Sequence, residues 1–310
     1  MASKNLTELK NDFLEYLEIE RNRAPRTLNN YNRYLDRFIR WLGNYLKGGI
    51  AEAKDLSEES IRKYRIYLNR LMENNVPLKK ITQDYHIIAL RGFLKFLGKQ
   101  KINVPAPDKI ELGKTHRKEI DFLERPEVER LLEAPKGTAM DCLRDRAILE
   151  LLFSSGLRVS ELVALNRADF SLAKNELSIE GKGGKRRVVF ISEMAQKALY
   201  MYLKKRRDTD EALFVRHHKT KDDRNLRLSV RTVQRIVKKY ATRVGISKDI
   251  HPHTLRHSFA TDLLQNGADI RSVQALLGHS SISTTQVYTH ISDKHLREVH
   301  KEFHRRDKTE

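Results

Sequence analysis

Apolar residues recur at helical spacing through the first hundred positions. Leu6, Leu9, Phe13, Leu14 and Leu17 return every three or four residues and predict an amphipathic helix over 6–17. A second helix starts near Arg26, just after Pro25, with Leu28, Tyr31, Leu35, Phe38, Trp41 and Leu42 on its inner face and Gly43 as its stop. A third covers about 57–73, and Pro77 breaks the chain behind it. A fourth covers 82–97, with Ile87, Leu90, Leu94 and Leu97 inward and Gly98 ending it. Four helices with one apolar stripe each predict a small all-helical domain over residues 1–102. Residues 103–120 open with Pro105 and Pro107 and lack periodicity, which reads as an extended linker.

From Asp121 a second domain, 121–310, follows a different pattern. Leu143, Ala147, Ile148, Leu151 and Leu152 mark a helix that stops at Ser154-Ser155-Gly156. Residues 177–179 and 187–191 alternate as short strands around a Gly-Lys-Gly-Gly-Lys-Arg turn, and 213–215 is a candidate third strand. Helices are expected at about 193–206, 229–244, 253–266, 270–277, 283–290 and 293–304. Ser229 and Asp269 serve as N-caps, and Gly245, Gly267 and Gly278 as C-caps. The fold class is therefore mainly α with a small antiparallel β-sheet. Neither an internal repeat nor a low-complexity segment is visible.

Composition narrows the function. Hydrophobic residues make up 39% of 310, and the longest apolar region, 147–157, is interrupted by Glu150. A membrane span needs about 20 apolar residues, so no membrane partner is expected. The start, Met1 to Asn5, lacks the apolar run of a secretion signal. Cys142 is the single cysteine, which rules out an internal disulfide and fits a reducing cytoplasm; beside Leu143, Ala147 and Ile148 it reads as a structural thiol. The net charge of +19 points to a polyanion partner, because releasing counterions from phosphates rewards clustered Lys and Arg. Residues 1–102 carry 20 Lys and Arg against 12 Asp and Glu, and residues 103–310 carry 40 against 29. Two basic domains predict a clamp around a duplex; the plainer alternative is a basic protein with solvated charged faces.

Five segments hold polar residues where a pure core would use apolar ones. In Gly156-Leu157-Arg158-Val159-Ser160-Glu161-Leu162, Arg158 and Glu161 lie three residues apart on one helix face. Arg158 can fork onto a phosphate with Glu161 orienting its neighbours, or the two can form a simple intrahelical ion pair. Lys182, in Gly181-Lys182-Gly183-Gly184-Lys185, sits on a hairpin tip whose glycines allow close approach to a ligand, or it is a solvated turn lysine. The spacing is not that of a nucleoside-triphosphate loop. In His251-Pro252-His253-Thr254-Leu255-Arg256-His257, His253 and Arg256 share the first turn of a helix, where a phosphate is attracted. His253 and His257 are also spaced to chelate a metal, but the His-Glu-x-x-His pattern and a thiolate pair are both missing. His279 follows a helix C-cap, and Tyr288 lies in Thr285-Gln286-Val287-Tyr288-Thr289-His290. Taken singly, they read as a turn residue and a packing tyrosine.

Two arginines, a lysine, two histidines and a tyrosine, with no metal or nucleotide motif, suit phosphoryl transfer to a protein hydroxyl. Arginines hold the non-bridging oxygens and stabilise a five-coordinate transition state. A tyrosine of ordinary pKa about 10 needs help losing its proton, and a departing alkoxide needs an acid. No cofactor and no metal is expected.

The ordered set Gly156-Leu157-Arg158-Val159-Ser160-Glu161-Leu162, Gly181-Lys182-Gly183, His253-Thr254-Leu255-Arg256-His257-Ser258-Phe259-Ala260-Thr261, Leu276-Leu277-Gly278-His279 and Tyr288 resembles the tyrosine recombinases of the phage-integrase family, and within them the Xer-type enzymes. Arg26-Thr27-Leu28-Asn29-Asn30-Tyr31 through Trp41 resembles the opening of the family's SAM-like core DNA-binding domain, with Ala24-Pro25 where members often carry glycine and serine. The resemblance implies a two-domain C-shaped DNA clamp with the recombinase catalytic fold over 121–310. It implies Arg158 and Arg256 as phosphate clamps and Lys182 as general acid. It implies His253 as proton-transfer partner, His279 as phosphate hydrogen-bond donor, Glu161 as supporting acid and Tyr288 as nucleophile.

The implied partner is a double-stranded DNA recombination site, held by a homotetramer, or by this chain with a paralogous recombinase, on two duplexes. Strand exchange would pass through a 3′-phosphotyrosine intermediate and a four-way junction. The expected role is Xer-type resolution of chromosome or plasmid dimers. A mobile-element integrase, a monomeric type IB topoisomerase and a catalytically silent DNA-binding regulator are the rivals. The short stretch before Leu6 leaves no room for a separate arm-site domain, which counts against the integrase. A last helix with Leu296, Val299 and Phe303 in one stripe is expected to dock on a neighbouring protomer, or else on its own domain. Cations around 21–40 and 227–239 are candidates for DNA contact.

Overall fold

The computed structural model describes residues 5–46, 48–113, 121–171, 176–180, 186–217 and 226–278. The chain forms two compact units, Met1–Lys118 and Glu119–Glu310.

The first unit is four helices around one apolar core. Helix α1 (Leu6–Ile19) starts where the Asn5 side chain accepts the Glu8 N–H at 2.9 Å, and it buries Leu6, Leu9, Phe13 and Leu17. Helix α2 (Pro25–Tyr45) has proline in its first turn, where a missing N–H costs nothing, and turns Leu35, Phe38 and Leu42 inward. Helix α3 (Glu58–Arg70) is capped by Ser57, and α4 (Lys80–Lys99) buries Ile87, Leu90, Phe93, Leu94 and Leu97. Phe13 anchors the packing, its ring 5.6 Å from that of Phe93 and 5.4 Å from that of Phe96.

Neither Gly43 nor Gly98 stops its helix. The left-handed residues that end these turns fall later, at Gly48 (φ 91°) and Lys101 (φ 60°). Helix α3 ends earlier than expected because Asn74 and Asn75 both take positive φ, 49° and 62°. They make a two-residue turn between β1 (Met72–Glu73) and β2 (Val76–Pro77), a small antiparallel hairpin. Ile110 is buried in the helical core, and Ile102 and Val104 pack against it.

The second unit wraps its helices around α6 (Met140–Ser155). Ala147, Ile148, Leu149, Leu151 and Leu152 are all buried, so this helix is covered on every side. Around it lie α5 (Arg125–Glu133), α7 (Val159–Ala164), α8 (Glu193–Lys205), α9 (Val230–Arg243), α10 (Pro252–Gln265) and α11 (Ile270–Leu277). Ser229 and Asp269 cap α9 and α11 as expected. The sheet is antiparallel in the order β3 (Phe170–Ser171), β4 (Glu176–Glu180), β5 (Arg186–Phe190), with Leu177 opposite Val189 and Ile179 opposite Arg187.

The third strand of that sheet is therefore β3, and the expected strand at 213–215 is corrected. Leu213, Phe214 and Val215 are 0–2% exposed, and Val215 forms an isolated antiparallel bridge to Arg227 rather than joining the β3–β5 sheet. Their backbone bonds to residues outside the sheet: Leu213 N–H donates to Leu165 O at 2.8 Å, and Phe214 O accepts from Leu228 N–H at 3.1 Å. The helices expected at 283–290 and 293–304 lie outside the described residues. Among the described residues no helix is long and apolar enough to cross a membrane.

Candidate active site

Two helices of the second unit end on left-handed glycines, and an arginine serves each end. Gly156 closes α6 at φ 59°, and Gly278 closes α11 at φ 62°. The last carbonyls of a helix lack partners and carry the negative end of its dipole, which suits a guanidinium. Arg256, on α10 and 1% exposed, donates through Nη1 to Gly156 O and through Nη2 to Leu277 O, both at 2.6 Å. One buried side chain thus fixes the ends of α6 and α11 against α10. Gly156 has no room for a side chain, since a Cβ there would stand 2.5 Å from the Phe259 ring.

Arg158 follows two residues later and caps α7. Its backbone N–H donates to Glu161 Oε2 at 3.0 Å and its Nη1 to Glu161 Oε1 at 2.9 Å. Its Nη2 reaches Gly278 O at 3.3 Å. The side chain remains 40% exposed, so this guanidinium, unlike that of Arg256, faces solvent. The spacing of three residues does produce the intrahelical pair, and the pair leaves Arg158 open.

Glu161 holds a second cation. Arg187, on β5, donates through Nη1 to Oε1 at 3.1 Å and through Nη2 to Oε2 at 2.9 Å. Burial pushes the Glu161 carboxyl up, but the hydrogen bonds from Arg187 and from the Arg158 N–H outweigh it and hold the group below the usual range. Arg187 went unnoticed in the sequence. Its signal was there: in a period-two strand it shares a face with Val189 and Ile191, and an inward charge needs a partner.

His253 sits in the first turn of α10, solvent-exposed at its outer edge, with its ring 4.3 Å from that of His257 in an edge-on arrangement. Desolvation and then the charges of Arg256 and Arg158 hold its pKa below the ordinary value. That direction favours the unprotonated ring, the form able to accept a proton. Arg158, Glu161, His253 and Arg256 thus come together, from segments up to a hundred residues apart. Lys182, His279 and Tyr288 lie outside the described residues. Among the described residues no group of three His, Cys, Asp or Glu side chains could hold a metal ion.

Elsewhere on this unit, Arg231, Arg235, Lys238 and Lys239 are exposed along one side of α9, while Val233, Ile236, Val237 and Tyr240 face the core. Arg227 belongs to the structure rather than to that row: its guanidinium bonds Val163 O at 2.8 Å and Leu165 O at 2.9 Å.

Residues 121–295 match the phage integrase family, and residues 11–101 match the phage integrase N-terminal SAM-like domain. Tyrosine recombinase XerD of Oceanobacillus iheyensis is 37% identical over 303 residues, spanning 95% of this chain and 97% of that one. The XerH site-specific recombinase bound to palindromic difH substrate, a post-cleavage complex, shares the fold at a TM-score of 0.70 and 23% identity, over 96% of this chain and 85% of that one. A lambda integrase tetramer bound to a Holliday junction shares it at 0.69 and 19%, over 100% and 81%. The cation-lined site, the two matched domains and the near full-length likeness to XerD make this chain a member of the phage integrase family, a Xer-type tyrosine recombinase that breaks and rejoins DNA strands.

Proposed function

We propose that this recombinase attacks one strand of a duplex recombination site with Tyr288 and resolves chromosome or plasmid dimers by paired strand exchange. The observation that carries the chemistry is the arginine pair anchored on the two left-handed glycines. Arg256 is buried and bonded to two carbonyls, Arg158 is partly open to solvent, and their charges lower the pKa of His253 beside them. Such a site offers guanidinium donors to the non-bridging oxygens of a phosphodiester, and positive charge where the transition state gathers negative charge.

In the step, the Tyr288 oxygen forms a bond to phosphorus as the bond from phosphorus to the 5′-oxygen breaks. His253 takes the tyrosine proton and Lys182 gives a proton to the departing 5′-oxygen. His279 donates a hydrogen bond to the phosphate, and Glu161 keeps Arg158 oriented. A phosphodiester is exchanged for a phosphotyrosine ester of similar energy, so the reverse attack by a 5′-hydroxyl rejoins a strand without ATP. Four protomers on two duplexes, of this chain alone or with a paralogue, exchange strands pairwise through a four-way junction. Support for that assembly comes from the fold shared with a recombinase on its difH substrate and with an integrase tetramer on a Holliday junction.

The test is a nicked duplex that loses a short 5′-hydroxyl fragment after cleavage and so traps the adduct. The wild-type protein forms a covalent complex and Tyr288→Phe binds without forming one. An adduct that persists in Tyr288→Phe, or none in the wild type, contradicts the proposal. Replacing the bridging 5′-oxygen by sulfur, a better leaving group, restores cleavage to Lys182→Ala; failure of that rescue removes Lys182 from the acid role.

A further inference from the structure

We infer that Arg187 is a positioning residue for strand cleavage, acting through Glu161 on Arg158; the inference rests on the phosphate-clamp role proposed above. Three observations carry it. First, Arg187 stands on the inner face of β5, opposite Ile179 and in line with Val189, where a core would take an aliphatic side chain. Second, both of its terminal nitrogens are committed to both oxygens of Glu161, the fork-to-fork geometry that fixes a carboxylate most firmly. Third, its guanidinium lies flat against the end of α11: a Cβ on Gly278 would stand 3.1 Å from Arg187 Cζ. Gly278 is the residue whose carbonyl accepts from Arg158.

Charge explains why a second cation is needed. Glu161 is a partly buried carboxylate, and with Arg158 alone it would be a single ion pair that competes with any incoming phosphate for the same guanidinium. Arg187 satisfies the carboxylate independently. Glu161 can then hold the Arg158 backbone N–H and Nη1 in place while the exposed side of Arg158 takes a phosphate. Removing Arg187 leaves Glu161 to draw Arg158 inward, away from solvent. Arg187 also follows Lys182 by five residues in the sequence.

A charged and a neutral scissile linkage separate this role from a merely structural one. Arg187→Ala, Arg187→Lys and Arg158→Ala are compared with the wild type in single-turnover cleavage of the nicked duplex. One substrate carries the ordinary phosphate and the other a methylphosphonate, whose missing oxygen charge lessens the need for a guanidinium clamp. Arg187→Ala is expected to slow cleavage of the phosphate by about 100-fold, the order of loss for a misplaced catalytic group. On the methylphosphonate the loss shrinks to a few-fold, in parallel with Arg158→Ala, while duplex binding is kept. Arg187→Lys recovers only part, because an ammonium cannot fork onto both carboxylate oxygens. Equal losses on both linkages mean a structural role and overturn the inference, as does wild-type cleavage by Arg187→Ala. A wild-type protein that forms no adduct on either linkage overturns the clamp reading itself.

Discussion

Adding one methyl group at Gly156 tests the architecture of the site. Gly156→Ala carries two costs. A non-glycine residue in the left-handed region costs about 1–2 kcal/mol, and Gly156 sits there at φ 59°. The new Cβ would also meet the Phe259 ring at 2.5 and 2.8 Å and Leu277 Cδ2 at 3.1 Å. Carbon contacts settle near about 3.5 Å, so the ring or the backbone must retreat by about 1 Å. Overpacking of that kind costs about 1–3 kcal/mol. Gly245→Ala is the matched control: its φ is 71°, but nothing lies within 4 Å of the added carbon, so only the backbone cost applies. Scanning calorimetry of both variants isolates the clash. At about 2–4 °C per kcal/mol for a domain of this size, Gly156→Ala should melt about 2–12 °C below Gly245→Ala.

Function should separate the two further. Gly156 O accepts from Arg256, so a displaced carbonyl misdirects that guanidinium and cleavage of the nicked duplex falls by about 100-fold. Gly245→Ala should cleave like the wild type. If the two variants melt together and cleave alike, the glycine is not there for lack of space, and the arginine does not depend on its carbonyl.

Other expectations follow from single contacts. Arg256→Lys cannot reach both Gly156 O and Leu277 O, so at least one buried acceptor is orphaned at about 1–3 kcal/mol, and urea denaturation should show it; an unchanged midpoint contradicts the tie. Ser258 Oγ accepts from the Leu123 N–H at 2.8 Å in a buried setting, so Ser258→Ala should destabilise the second unit by about 1–3 kcal/mol and expose the Leu123 amide to hydrogen exchange. The fold depresses the His253 pKa, so the unfolded chain takes the proton first: the contribution of His253 to stability is whole above about pH 6.5 and declines as pH drops below it. An NMR titration of His253 at or above 6.5 would refute that sign. With a net charge of +19, duplex affinity measured by fluorescence anisotropy should fall linearly on a log–log scale with salt, and a flat profile excludes phosphate contacts as its source.

Periodicity and residue order determined much on their own. The four stripes of the first unit announced four helices, because a helix on a small core can bury only one face, and α11 was read with both its ends and its cap. The ordered set from Arg158 to Tyr288 carried the resemblance to the phage integrase family, and the family match bears that resemblance out. Tertiary structure decided the rest. Residues 213–215 had the composition of a strand, but their backbone bonds to Leu165 and Leu228, outside the sheet, and that pairing exists only in the packed fold. Asn74-Asn75 turned a helix end into a hairpin through two positive φ values, a turn that asparagine favours and that the helical periodicity before it masked. Arg158 and Glu161 were legible as a pair, three residues apart. Arg187, the second cation on Glu161, and the glycine carbonyls that anchor both arginines come from segments far away in the chain. Local spacing can announce partners one helical turn apart; contacts across a hundred residues exist only once α6, α10, α11 and β5 have packed together.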